Sequence, residues 1–294
     1  MWWVPRQDSL LHDLPGLVLC LLTAYIVMET NARQHIIRTR TRMMSCLWLI
    51  LAASLSFMHA AEDPAIAAAF LCAAYYLLFR CYQRHRPQLD VFHAFLMLGV
   101  GSFFAPVMLP MAIPFFLYLA FFLRSLTRKA FWAGILGIII PYWCLAVWCF
   151  IKGDSLIPHL PFAHFRLTSF HVDGLMSGLS LSEKASACVI ALLAAVSIIH
   201  YLRTKYDDKI RARMILYIYM WQTLLLMAFL VLQPASCRTT MALLVASASP
   251  LIAHCLSLTR SWLGTFFFFL SLLLVAGMAA LNFWPAACAS APGI

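Results

Sequence analysis

Charge is what this chain has least of. Asp, Glu, Lys and Arg make up 11% of its 294 residues and 64% are hydrophobic, whereas soluble domains are roughly one-quarter charged. With a mean hydropathy of +0.87, too little polar surface remains to face water on all sides, and the chain reads as an integral membrane protein. A second absence is more specific: no Asp, Glu, Lys or Arg falls in the middle of any long apolar run. Proton-coupled carriers need a titratable group at membrane depth, so the chain is poorly equipped for that work, while a carrier of a neutral substrate stays open. The ten cysteines contain no C-x-x-C and no Cys/His ligand spacing, so no metal and no cofactor is expected. No positive segment precedes the first apolar stretch, which argues against a cleaved signal peptide. Trp2, Trp3 and Pro5 read instead as an interfacial anchor.

What charge there is has a pattern. Sixteen of the twenty-one Lys and Arg residues lie in residues 29–42, 80–90, 124–129, 203–213 and 259–260. These are every second connection between apolar runs, and the connections between them are nearly bare. Basic loops stay on the cytoplasmic side of a bilayer, so the alternation predicts an all-α, polytopic transmembrane bundle of about 10 helices with both termini outside. The net charge of +10 would suit nucleic acid only if it lined one soluble face; clustered at helix ends it sets orientation, and no nucleic-acid partner is expected. The bilayer is the partner, with anionic lipid at the cytoplasmic surface the expected ligand of Arg38, Arg40 and Arg42.

The spans predicted from the approximately twenty-residue crossing requirement are about 14–28, 43–60, 65–79, 91–104, 107–123, 130–151, 185–202, 214–232, 241–258 and 262–281. Pro106, Pro110 and Pro114 interrupt one continuous apolar stretch and each removes a backbone donor, so two tightly connected helices are expected there. Residues 1–294 form one membrane domain in this reading, with one long outer loop at about 152–184. That loop carries His159, His164, Arg166 and His171. Histidines five and seven residues apart match no compact metal motif, and the bland reading is an unligated surface set.

Other features invite a sharper reading. His93, Gln222 and His254 fall within spans, where polar groups usually hydrogen-bond a neighbouring helix. GVGSFFAP at 99–106 and GILGIIIP at 134–141 combine glycine with a downstream proline. Such broken helices line substrate sites in transporters, which makes Gly99, Gly101, Pro106, Pro110 and Pro141 candidates for a substrate cavity; close helix packing is the competing and preferred use. Glu62 and Asp63 resemble the acidic pair of membrane glycosyltransferases that use polyprenyl-linked sugars, but their connection is too short, and a solvated acidic turn is the better reading. Cys237 and Cys288 lie near the outer face, where one disulfide is conceivable.

The stretch 91–142 resembles a family of uncharacterised polytopic inner-membrane proteins of Bacteroidetes. The likeness rests on the glycine-bearing helix leading into Phe104-Ala-Pro106, on Arg124-Ser-Leu-Thr-Arg128-Lys129, and on Gly137 through Pro141-Tyr142. It continues faintly through 203–213 and 250–254. The resemblance implies an inner membrane and carries no catalytic residue.

Two functional classes follow. The first is a non-enzymatic membrane component, either a carrier of a neutral or lipidic substrate or a subunit of an envelope assembly. The second is a membrane glycosyltransferase or ligase acting on lipid-linked sugars at the periplasmic face, in which Arg166 would hold a pyrophosphate and His159, His164 or His171 would act as base. The orientation is checked by fusing reporters at Ile294: periplasmic alkaline phosphatase should be active there and a cytosolic reporter silent. The reverse result inverts the map.

Overall fold

The computed structural model describes residues 10–38, 41–59, 62–153, 180–233, 236–258 and 262–289. Ten α-helices follow one another: α1 Leu10–Gln34, α2 Met43–Ala53, α3 Asp63–Arg80, α4 Gln88–Phe104, α5 Ala112–Leu117, α6 Arg128–Lys152, α7 Leu181–Thr204, α8 Ile210–Leu232, α9 Cys237–Leu258 and α10 Trp262–Ala289. No strand occurs among the described residues. This is the polytopic all-α bundle that the charge pattern predicts. Among the described residues seven helices are long and apolar enough to cross a membrane; Met43–Ala53, Gln88–Phe104 and Pro106–Phe122 are shorter.

Helix ends depart from the apolar runs for local reasons. α1 runs on to Gln34 and α8 begins at Ile210, because the apolar run marks only the hydrocarbon layer whereas backbone pairing continues through the interface. α2 stops at Ala53, short of the expected residue 60. Ser54 Oγ donates to the Leu51 carbonyl at 2.7 Å, Leu55 turns extended and a 3-10 turn covers Ser56–Met58. Serine hydroxyls compete in this way for helix carbonyls. The triple-proline region breaks as expected. Ala105 is extended at φ −135° and ψ 97°, as a residue before proline prefers; a 3-10 turn at Pro106–Met108 then leads into α5. Below it, Tyr118–Phe122 forms a π turn, closed by Leu123 N–H donating to the Tyr118 carbonyl at 2.9 Å.

α9 is the axis. Every residue from 240 to 255 is buried, and α2, α3, α7 and α8 surround it. Its Ala, Ser and Thr content allows this, since small side chains let helices approach closely where lipid offers no hydrophobic drive. α6 and α10 lie outside, with Trp132, Trp143, Trp148, Phe269 and Leu273 all at least 60% exposed on surfaces that suit lipid.

The tightest face joins α4 to α6. A Cβ on Gly137 would stand 2.5 Å from the Phe92 carbonyl, and one on Gly99 would stand 3.2 Å from the Ile138 carbonyl and from Pro141 Cγ. Backbone cannot yield there. Gly137→Ala should therefore lower stability by about 1–3 kcal/mol through overpacking. Gly277→Ala, with nothing within 4 Å of its Cβ position, should be neutral; thermal unfolding of both variants in mild detergent checks the contrast.

Candidate functional site

The last turn of α1 overruns into the first basic connection, where His35 adopts φ 50°. A non-glycine residue seldom occupies that left-handed region, and here it reverses the chain so that Ile36 and Ile37 are buried while His35 and Arg38 stay exposed. Asn31 secures the return. Its Oδ1 accepts from the Ile37 N–H and its Nδ2 donates to the Thr41 carbonyl, both at 3.2 Å. The turn leaves a cavity of about 690 Å³ between the end of α1, the α1–α2 connection and the start of α8. His35, Arg38, Arg42 and Lys209 line it, together with Asn31 and Thr41, and none of the described acidic side chains does. The Thr41 hydroxyl is buried without a hydrogen-bond partner. Such a wall fits an anion, with the guanidinium forks suited to a planar or tetrahedral oxyanion.

Behind the cavity sits a carboxylate. Asp208, in the α7–α8 connection, has a side chain only 1% exposed. The fully buried His254 Nε2 of α9 donates to its Oδ2 at 2.9 Å, and Arg38 Nε lies 3.3 Å from its Oδ1. That second contact is a charge pairing alone, since Oδ1 makes no hydrogen bond. Tyr201 stands edge-on to His254 with ring centroids 5.7 Å apart and donates its hydroxyl to the Arg213 carbonyl at 2.9 Å. Arg38 therefore belongs to two settings: its side chain is 46% exposed on the cavity wall while one edge meets a buried acid.

Other acids are likewise committed. Asp90 is held by Arg84 at 2.7 Å and Arg80 at 3.4 Å. Beside this pair, burial first and the Asp90 charge second push the Cys81 thiol up to about 12, so it stays protonated and unreactive at neutral pH. At the opposite face Glu183 meets Arg238 at 2.6 Å and closes a capping box with Ser180. Glu29 pairs with Arg33 on α1.

The residues singled out in the sequence disperse. Arg38 and Arg42 line the cavity, whereas Arg40 lies outside the described residues, as do His159, His164, Arg166 and His171. Gly99 and Pro141 fill each other's space, and a Cβ on Gly101 would meet Met108 Sδ at 2.6 Å, so these positions serve helix contact, and the carrier reading draws no support from them. Pro106 opens a 3-10 turn and Pro110 follows it as a half-buried residue. His93 is half-buried, edge-on to Phe92. Gln222 is buried and accepts from the Tyr118 hydroxyl at 3.0 Å. Glu62 precedes α3 without a side-chain capping bond and Asp63 begins it, both exposed, the acidic turn expected of them. Cys237 is a buried free thiol, and the Cys288 side chain lies outside the described residues. No three His, Cys, Asp or Glu among the described residues group as metal ligands. The sequence reading missed Asp208, His35 and Lys209; its one available signal was an acidic pair, Asp207-Asp208, inside an otherwise basic connection.

The chain is thus a polytopic α-helical membrane protein with a cationic cavity at its basic face. It matches none of the protein-family models, curated proteins or solved structures with which it was compared.

His254→Ala would leave Asp208 a buried carboxylate with only Arg38, a loss of about 3–5 kcal/mol. Asp208→Asn removes the charge and keeps an acceptor for His254, and should cost under about 2 kcal/mol. Thermal unfolding in detergent should rank them in that order.

Proposed function

We propose that the protein is a non-enzymatic component of a bacterial inner membrane, a subunit of an envelope assembly that seats an anionic phospholipid headgroup in the cavity on its cytoplasmic face. The observation that carries this reading is continuity between the cavity and a lipid-facing stripe. Leu14, Val18, Leu21 and Tyr25 are each more than 50% exposed, and their spacing puts them on one face of α1. The same face continues through Met28 to Ala32, both of which line the cavity. An acyl chain lying along the stripe would bring its phosphate to Arg38, Arg42 and Lys209. Arg42 and Lys209 pair with no acid among the described residues, so they remain available.

The inner-membrane location is supported by the basic connections and by the resemblance of the stretch 91–142.

Native mass spectrometry of the purified protein with phosphatidylglycerol and phosphatidylcholine tests the reading. Phosphatidylglycerol should be retained preferentially. Each headgroup-level cation contributes about 1 kcal/mol, so Arg42→Gln or Lys209→Gln should each reduce the preference about fivefold. Equal retention of both lipids by the unaltered protein defeats it.

A further inference from the structure

The cavity wall and the buried acid share one side chain. Arg38 lines the cavity, and its Nε is 3.3 Å from Asp208 Oδ1. We infer that Asp208 is a built-in competitor for the lipid phosphate: an anion entering the cavity draws the Arg38 guanidinium off the carboxylate, and the exchange is felt in α9 through His254. The inference rests on the lipid-binding reading and adds a regulation to the same site.

Three observations support the exchange. The Arg38–Asp208 contact is the weaker of the two at that carboxylate, a charge pairing with no hydrogen bond at Oδ1, whereas His254 is hydrogen-bonded at 2.9 Å. A phosphate offers the guanidinium two parallel charge-assisted bonds, which a single Nε edge does not. The neighbouring Lys209 projects into the same cavity, so an anion there attracts Lys209 and repels Asp208, adjacent residues of one short connection. At Asp208 the backbone itself gives little hold, since its N–H reaches the Lys205 carbonyl at 3.4 Å, long for a backbone bond, and the residue depends on its side-chain contacts. With Arg38 gone, Asp208 retains only His254, on the axial helix that α2, α3, α7 and α8 enclose. Occupancy at the membrane surface is in this way linked to the centre of the bundle.

The sign of one substitution separates competition from cooperation. If Asp208 competes, Asp208→Asn should bind phosphatidylglycerol about fivefold more tightly than the unaltered protein, the factor expected for removing one opposing headgroup-level charge. If Asp208 instead orients Arg38 for the lipid, affinity should fall. Unchanged or weaker binding, with the unaltered protein still preferring phosphatidylglycerol, overturns the competition and leaves lipid recognition standing. Loss of that preference in the unaltered protein overturns both. Hydrogen exchange of the unaltered protein in phosphatidylcholine nanodiscs gives a second reading that needs no variant. Adding phosphatidylglycerol should speed amide exchange in residues 205–213; slowed or unchanged exchange overturns the inference. Inorganic phosphate forms the control arm: if it speeds exchange in those residues as much as phosphatidylglycerol does, the ligand is a free anion and the lipid-driven exchange is overturned.

Discussion

Close approach of small residues around α9 is the constraint on which this bundle depends. Lipid tails are as apolar as leucine side chains, so helices gain little from leaving lipid for one another, and contact area with satisfied polar groups must hold them. α9 meets that demand with Ala242, Ala246, Ser247, Ala248, Ser249 and Ala253, all buried. The α4–α6 face meets it with Gly99, Gly134 and Gly137. Hydroxyls then find partners across the helices so made adjacent: Tyr75 meets Ser247 at 2.8 Å and Tyr118 meets Gln222 at 3.0 Å. Tight packing and polar pairing are two results of one arrangement.

The same constraint sorts the charges. Burying an ion away from water is costly unless it is paired, and the ion pairs of the described residues gather at helix ends and connections. Arg80, Arg84 and Asp90 close α3 onto α4; Glu183 and Arg238 join α7 to α9 at the opposite face; Asp208 ties the α7–α8 connection to α9. Arg38 is divided between such a tie and an open cavity wall.

Much of the architecture was legible because bilayer thickness and charge are local signals. The basic connections marked the helix ends, and Pro106, Pro110 and Pro114 marked the break before α5. The cavity was not legible. Its walls come from residues as far apart as Met28 and Ala212, and the His254–Asp208 bond spans 46 positions. His254 read as a lone polar residue in a span because its partner lies in a loop whose five arginines and lysines outweigh the Asp207-Asp208 pair, so the loop reads as basic. Nor could hydropathy single out α9: helices at the lipid boundary, such as α6, are at least as apolar, so apolarity marks membrane residence without marking the centre. Gly99, Gly101 and Pro141 were legible as a motif, and their use depended on whether Ile138 and Met108 occupied the space beside them.

Asn282 has a bearing on biogenesis. Its amide nitrogen reaches the Ser54 carbonyl at 3.1 Å, Ser186 Oγ at 2.9 Å and the Met278 carbonyl at 3.0 Å, so one side chain of α10 bridges the early and late halves of the polypeptide. Translation delivers that bridge after the nine preceding helices have already emerged. Until then the Ser54 carbonyl and the Ser186 hydroxyl lack this donor, so the seam between the early and late helices gains its last polar tie only when α10 packs.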